Sequence, residues 1–231
     1  MTALVRFHLS GYVRSLRVVQ PLLAIFLLAS VMLPNAPVGP DRATTLKLAV
    51  GGYGDVAAFL FPIWAWTARS VLDTEPDGQR ELGALAVGRR TAMASGLLAA
   101  YLVNLGLGAL TLTVPVLQGI SAGAGWGALP PAVVLHLAVA VPATLVGAWA
   151  GRAVLPSTAV SILVLLGGCV VLLILSMGPL AWLSVPMIGW LRAAHDGPDA
   201  LTAALPGLVA HIAAWSAVAG AGYAWVRRFR P

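Results

Sequence analysis

Glu75, Gly78, Glu81, Leu82, Arg89 and Arg90 fall within one short stretch, Arg69–Arg90, that also holds Arg69, Asp73, Asp77 and Arg80. Eight charged residues in this stretch compare with 14 Lys+Arg and 8 Asp+Glu in the whole chain. Side chains of this kind make ion pairs and charge-assisted hydrogen bonds, either with a water-soluble partner or with water itself. Four other residues offer polar chemistry from within apolar stretches: Asp55, Asn104, His136 and His211. An acid at such a position is costly and points to a polar contact in a transport path or a proton site. For Asp55 the flanking Gly51, Gly52 and Gly54 leave open a simpler reading, a turn near the outer surface where the carboxylate meets water or an arginine. His136 and His211 suit either a proton relay or hydrogen bonds to neighbouring helices, and Asn104 suits the latter.

Catalytic constellations are missing. The chain has no His-Glu-x-x-His, no Gly-x-Ser-x-Gly and no paired carboxylates in apolar surroundings. Ser161 has no spacing that ties it to His136 or His211 as a dyad. The single cysteine, Cys169, has no evident metal-ligating company. The only lysine is Lys47, preceded by Thr44, Thr45 and Leu46, so no phosphate-binding loop exists. No catalytic, metal or cofactor site is expected in this chain.

The elements that carry these residues follow from composition. The chain is 59% hydrophobic and 10% charged, against about 25% charged in soluble domains. Apolar runs match the ~20 residues that cross a bilayer. The expected fold is all-α, a polytopic membrane protein with six transmembrane helices at about 18–34, 49–68, 91–116, 130–151, 157–176 and 202–226. Residues 1–231 form a single transmembrane domain, since no polar stretch is long enough to bury a core of its own.

Three shorter regions complete it. Residues 1–17 read as an interfacial helix, with Val5, Leu9, Tyr12 and Leu16 on one face and Arg6, Arg14 and Arg17 on another. Residues 177–200, broken by Gly178, Pro179, Pro186 and Gly189, read as outer re-entrant or interfacial helices. In residues 70–90, Thr74 caps a short amphipathic helix with Glu75, Pro76 and Asp77 in its first turn. Leu82, Leu85 and Ala86 share one face of it, and Gly88 ends it. Gly147-x-x-x-Gly151 permits a close helix contact.

Basic residues set the orientation. Arg6, Arg14, Arg17, Arg69, Arg80, Arg89, Arg90, Arg152, Arg227, Arg228 and Arg230 fall on one side; Arg42, Lys47 and Arg192 fall on the other. The 11:3 split puts both termini and the 70–90 loop in the cytoplasm of a plasma-membrane protein. Trp126, Trp182 and Trp190 fit the outer interface, and Trp66, Trp149 and Trp225 the inner one, while Trp215 lies mid-span as a packing residue. The net charge of +6 reads as orientation, and scattered arginines at helix ends do not make a nucleic-acid surface. Arginine-over-lysine usage and alanine richness suit a GC-rich bacterial genome.

The run Glu75-Pro-Asp-Gly78-Gln-Arg-Glu81-Leu82-Gly-Ala-Leu85-Ala-Val-Gly-Arg89-Arg90 resembles the signature that follows span two in membrane subunits of type-2 ABC exporters. It departs at Gln79, where threonine is usual, and at Val87, near which proline is usual. The motif covers about 16 residues; the six spans, interfacial helix and re-entrant elements extend the likeness to nearly the whole chain. The resemblance implies a permease subunit, forming a pathway with a second copy or a related permease and with spans one and five as candidate walls. It implies a cytoplasmic ATP-binding subunit docked on the N-terminal helix and the 70–90 helix. Sparse intramembrane charge suits a hydrophobic or amphipathic cargo such as a drug, antibiotic, lipid or peptide. Two readings stand beside it: a proton-coupled secondary transporter using Asp55 and a histidine, and a membrane scaffold that transports nothing.

Overall fold

Apolar side chains that cannot all be buried in one chain of this length govern the architecture. The computed structural model describes residues 1–32 and 37–229; Pro34, at the expected end of span one, and Arg230 lie outside the described residues. Among the described residues the chain is helical, with no strand. In order the helices are α1 (Thr2–Arg14), α2 (Val19–Met32), α3 (Arg42–Leu72), α4 (Asp77–Val87), α5 (Arg89–Ser121), α6 (Leu129–Trp149), α7 (Thr158–Met177), α8 (Met187–His195) and α9 (Pro198–Phe229). Single 3₁₀ turns at Trp126–Ala128 and Ala181–Leu183 precede α6 and α8.

Among the described residues, five helices are long and apolar enough to cross a membrane: α3, α5, α6 with the turn before it, α7 and α9. A sixth span exists if α1 and α2 count as one element bent by 71°. The 14 described residues of α2 rise about 21 Å, and residues 33–36 that follow lie outside the described residues. The bend falls where Leu16 takes a φ of +58°, the one non-glycine residue with positive φ among those described. Leu16 therefore leaves the apolar face expected for it and is exposed, while Val5 and Tyr12 are buried and Leu9 packs behind them.

Several spans outrun their apolar windows. α3 begins seven residues before position 49 because the Asp41 carboxylate accepts from the Thr44 amide at 2.7 Å, a cap that lets the helix start in polar sequence. At 31 residues α3 rises about 46 Å, enough to project past a bilayer core.

α3 is the central helix, packed on α5, α6 and α8. Phe61, Trp64, Leu60 and Val56 are fully buried along it. α6 meets it closely enough that a Cβ on Gly147 would collide with the Ala65 carbonyl oxygen. The close contact read from Gly147-x-x-x-Gly151 thus falls on Gly147, while Gly151 sits beside the Asp73 carboxylate. Peripheral helices reverse this pattern. Leu23, Phe26 and Leu27 of α2, Leu163 and Ile174 of α7, and Val218 of α9 are all more than 60% exposed. Exposed apolar side chains on three peripheral helices need a non-aqueous covering, and a lipid bilayer supplies one.

Trp190, expected at the outer interface, is instead fully buried in α8 against the α3 core. Trp126, Trp182 and Trp225 are more than 60% exposed, as interfacial residues are. Trp215 donates its indole N–H to the Leu183 carbonyl at 3.0 Å, tying α9 to the turn before α8.

Candidate functional site

Alternating helices bring the C-terminal end of α3, the start of α5, the α6–α7 turn and the C-terminal end of α9 to one end of the bundle. This basic end carries the charged stretch Arg69–Arg90. The local start of α4 differs from its sequence reading. Thr74 does not cap it: its hydroxyl donates back to the Ser70 carbonyl at 2.8 Å, which completes the last turn of α3. α4 begins at Asp77 with Pro76 in the capping position and no side-chain cap. Gly88, at φ +85°, separates α4 from α5.

Asp73 lies at the centre of the connection and is nearly buried. Its carboxylate accepts the Arg152 amide N–H at 2.8 Å, and its second oxygen stands 3.8 Å from Arg69 Nε without a hydrogen bond. Its backbone carbonyl accepts from Arg17 Nη1 at 3.0 Å. Burial pushes the Asp73 carboxyl above its ordinary range, although the Arg152 amide and the guanidinium groups of Arg69, Arg80 and Arg152 pull the other way. Asp77 bridges onward to Arg152 at 3.0 Å and Arg80 at 3.5 Å. Arg69 also donates to the Ser161 hydroxyl, which in turn donates to the Ala150 carbonyl. Ser161 is thus a joint between α3, α7 and the α6–α7 turn, not a nucleophile beside a histidine.

The Glu75 carboxylate lies 2.9 Å from His8 Nδ1 of α1, an ion pair when His8 is protonated. It is already engaged within the chain, so it anchors α1 to the root of α4. A cleft of about 270 Å³ opens beside this pair, bordered by Phe7, Ser15, Thr74 and Gln79. Gly78, Glu81, Leu82, Arg89 and Arg90 behave differently. All are exposed, and nothing lies within 4 Å of a Cβ built on Gly78. α4 buries none of its residues, and Leu82 and Leu85 are 68% and 84% exposed. The result is a projecting helix on a fastened root: Asp73, Glu75 and Asp77 hold the base, and the outer surface is open. No family model, no curated protein and no solved structure matches the chain. The site must therefore be read from its own geometry.

The intramembrane candidates do not form one site. Asn104 is fully buried and donates from Nδ2 to the Trp64 carbonyl at 3.2 Å and to the Thr144 hydroxyl at 3.0 Å. It stitches α3, α5 and α6 together at mid-bundle. His136 Nδ1 faces the Ala132 carbonyl of its own helix at 2.8 Å, so that nitrogen carries the proton, and its ring meets Trp64 edge-on at 6.0 Å. His211 Nε2 is buried with no hydrogen-bond partner. Asp55 pairs with neither of these, nor with an arginine. Its carboxylate contacts His195 Nε2 at 2.9 Å, at the end of α8. A Cβ on Gly51 would collide with the His195 ring, and one on Gly54 with Ala194, so the small residues around Asp55 exist to seat α8 on α3. Sequence reasoning missed His8 and His195, and read Asp73 only as one charge of the Arg69–Arg90 stretch. Nothing in the sequence around His8 marks it as the partner of Glu75; for His195 the cue was its place at the end of an aromatic, amphipathic segment. No group of three or more potential metal ligands occurs among the described residues.

Proposed function

We propose that this chain is the permease subunit of an ATP-driven exporter, moving a hydrophobic or amphipathic cargo. In this reading a separate cytoplasmic ATPase, which carries the ATP and Mg, docks on α4, and a second copy of the chain or a related permease completes the pathway. The observation that supports it is the projecting α4: an amphipathic helix with no buried residue, at the end of the bundle where nearly all arginines gather. Its exposed leucines sit beside Glu81, Arg89 and Arg90. Such a surface offers an apolar centre with a charged rim, the composition of a protein–protein contact. Its root is cross-linked to α1, α3 and the α6–α7 turn through Glu75, Asp73 and Asp77. A push on α4 would therefore reach several spans at once.

The apolar peripheral faces of α2 and α7 fit the same reading, as surfaces for lipid and for the second permease. The basic end would face the cytoplasm under the positive-inside bias.

The test is purification in mild detergent together with the products of neighbouring genes. Glu81→Lys with Leu85→Asp is expected to abolish co-purification of the ATPase while leaving the thermal midpoint of the permease within about 2 °C, because α4 buries nothing and exposed substitutions cost about 0.5 kcal/mol. Glu75 is a poorer probe, since its loss also frees His8. An ATPase that still co-purifies with the double variant would contradict the docking assignment.

One observation favours a second reading. Asp55 and His195 stand 2.9 Å apart toward the opposite end of α3, an acid and an imidazole in direct contact. Proton-driven uptake abolished by Asp55→Asn, without any ATPase, would support a secondary transporter instead.

A further inference from the structure

Between α2 and α3 a groove encloses about 400 Å³, walled by Pro21 and Ala24 on one helix and Pro62 and Ile63 on the other, with Gln20 and Trp66 at one end. Its cause is local. Two prolines and an alanine face each other where longer side chains would interdigitate, so the gap has rigid walls and cannot collapse by rotamer changes. The Gln20–Trp66 end is the polar one: Trp66 donates its indole N–H to Gln20 Oε1 at 3.4 Å, and the Arg69 guanidinium lies 6.0 Å from the Trp66 ring centre. Arg14 and Arg17 are exposed at the nearby bend between α1 and α2, beside Val13 and Leu16, which are also exposed. Beyond the groove, α2 also carries the exposed apolar Leu23, Phe26 and Leu27, so the helix that forms one wall already needs an apolar covering.

We propose that this groove holds one acyl chain of an anionic phospholipid from the leaflet at the basic end, with the phosphate drawn to Arg14 and Arg17. The walls are apolar and suit methylenes. The cations stand only at the end toward the membrane surface, where a headgroup would lie. An uncharged chain alone would gain nothing from them, and a soluble anion would gain nothing from the walls. The site goes beyond the transport reading and needs only that the chain lies in a bilayer. Bound there, the lipid would brace the bent α1–α2 junction against α3.

The full-length protein in detergent, supplied with phosphatidylglycerol or with phosphatidylcholine of matched chains, provides the test. Native mass spectrometry is expected to show retention of phosphatidylglycerol over phosphatidylcholine, with a rise in Tm of a few degrees. Ala24→Phe, which fills the groove, is expected to remove both effects. Arg14→Gln is expected to reduce phosphatidylglycerol retention to the phosphatidylcholine level. Equal retention of the two lipids by the unaltered chain, or undiminished phosphatidylglycerol retention by Ala24→Phe, overturns the proposal. So does conversion of a dimer to a monomer by Ala24→Phe with lipid retention unchanged, because a second copy would then be the occupant. Should Ala24→Phe fail to fold, brominated-chain phosphatidylglycerol must quench a fluorescence component that Trp66→Phe lacks; identical quenching in both proteins overturns it equally.

Discussion

Alanine in place of Gly147 is expected to cost about 3 kcal/mol, at the upper end of the usual range for overpacking, and to lower the yield of folded protein in detergent. The added methyl would collide with the Ala65 carbonyl oxygen and stand 2.8 Å from both the Ala68 Cβ and the Arg69 backbone nitrogen. Two of these three neighbours are backbone atoms of α3, and no rotamer change relieves a clash with backbone. The two helices must separate, and α3 is the helix on which the core is built. Separation would also strain the Asn104 hydrogen bonds to Trp64 and Thr144, one turn away on the same seam. Thermal unfolding followed by tryptophan fluorescence checks this. A variant as stable as the unaltered chain would mean that α3 and α6 are further apart than described.

The second large effect is expected at Asp73. Alanine removes the acceptor for the Arg152 amide and leaves Arg69, itself mostly buried, without its carboxylate neighbour. An orphaned amide costs about 1–3 kcal/mol, and Arg69 keeps its hydrogen bond to Ser161, so a loss of about 1–3 kcal/mol is expected. Asparagine keeps an oxygen for the Arg152 amide and is expected to be much milder.

The pH dependence separates these variants further. Burial raises the folded-state value of Asp73 above that of the unfolded chain, so the folded protein takes up this proton first as pH falls. Ionised Asp73 thus costs stability at neutral pH. That cost is relieved as pH drops through the raised value toward ~3.9, the ordinary carboxyl value. Relative to Asp73→Asn, the unaltered chain should therefore gain stability on acidification, and a Tm-versus-pH comparison of the two reads the sign directly. A relative loss would mean that the arginines outweigh burial.

Much of the fold was legible because bilayer chemistry leaves few choices. An apolar run of the right length in a charge-poor chain becomes a helix, and α7 at Thr158–Met177 follows the expected 157–176 within a residue. Ends were less legible because caps, not hydropathy, set them. Asp41 lengthens α3 at one end, and at the other Thr74 bonds back to Ser70 and delays the start of α4 to Asp77. The site divides in the same way. That α4 would be short and amphipathic was readable from Leu82, Leu85 and Gly88. That Glu75 would be taken by His8, and Asp55 by His195, was not: neither partner lies in the same element, and local periodicity carries no trace of which distant side chain arrives. Trp190 makes the same point. An aromatic in a broken outer segment looks interfacial until α8 is seen to pack on the small residues Gly51 and Gly54 of α3.

These pairings sharpen the docking hypothesis. Of the flagged residues in the charged stretch, Glu75 belongs to the fold, while Glu81, Leu82, Arg89 and Arg90 remain open for a partner. A photo-crosslinking amino acid at position 85, the most exposed large hydrophobic residue of α4, in membranes from cells that also express the adjacent genes, tests that division most directly. The expected result is a covalent adduct with a soluble ATP-binding protein, its yield changing with nucleotide, and no such adduct from a probe at position 174 on the lipid-facing side of α7. Adducts at position 85 that contain only lipid, or only a second copy of this chain, would contradict the assignment of α4 as the surface that receives an ATPase.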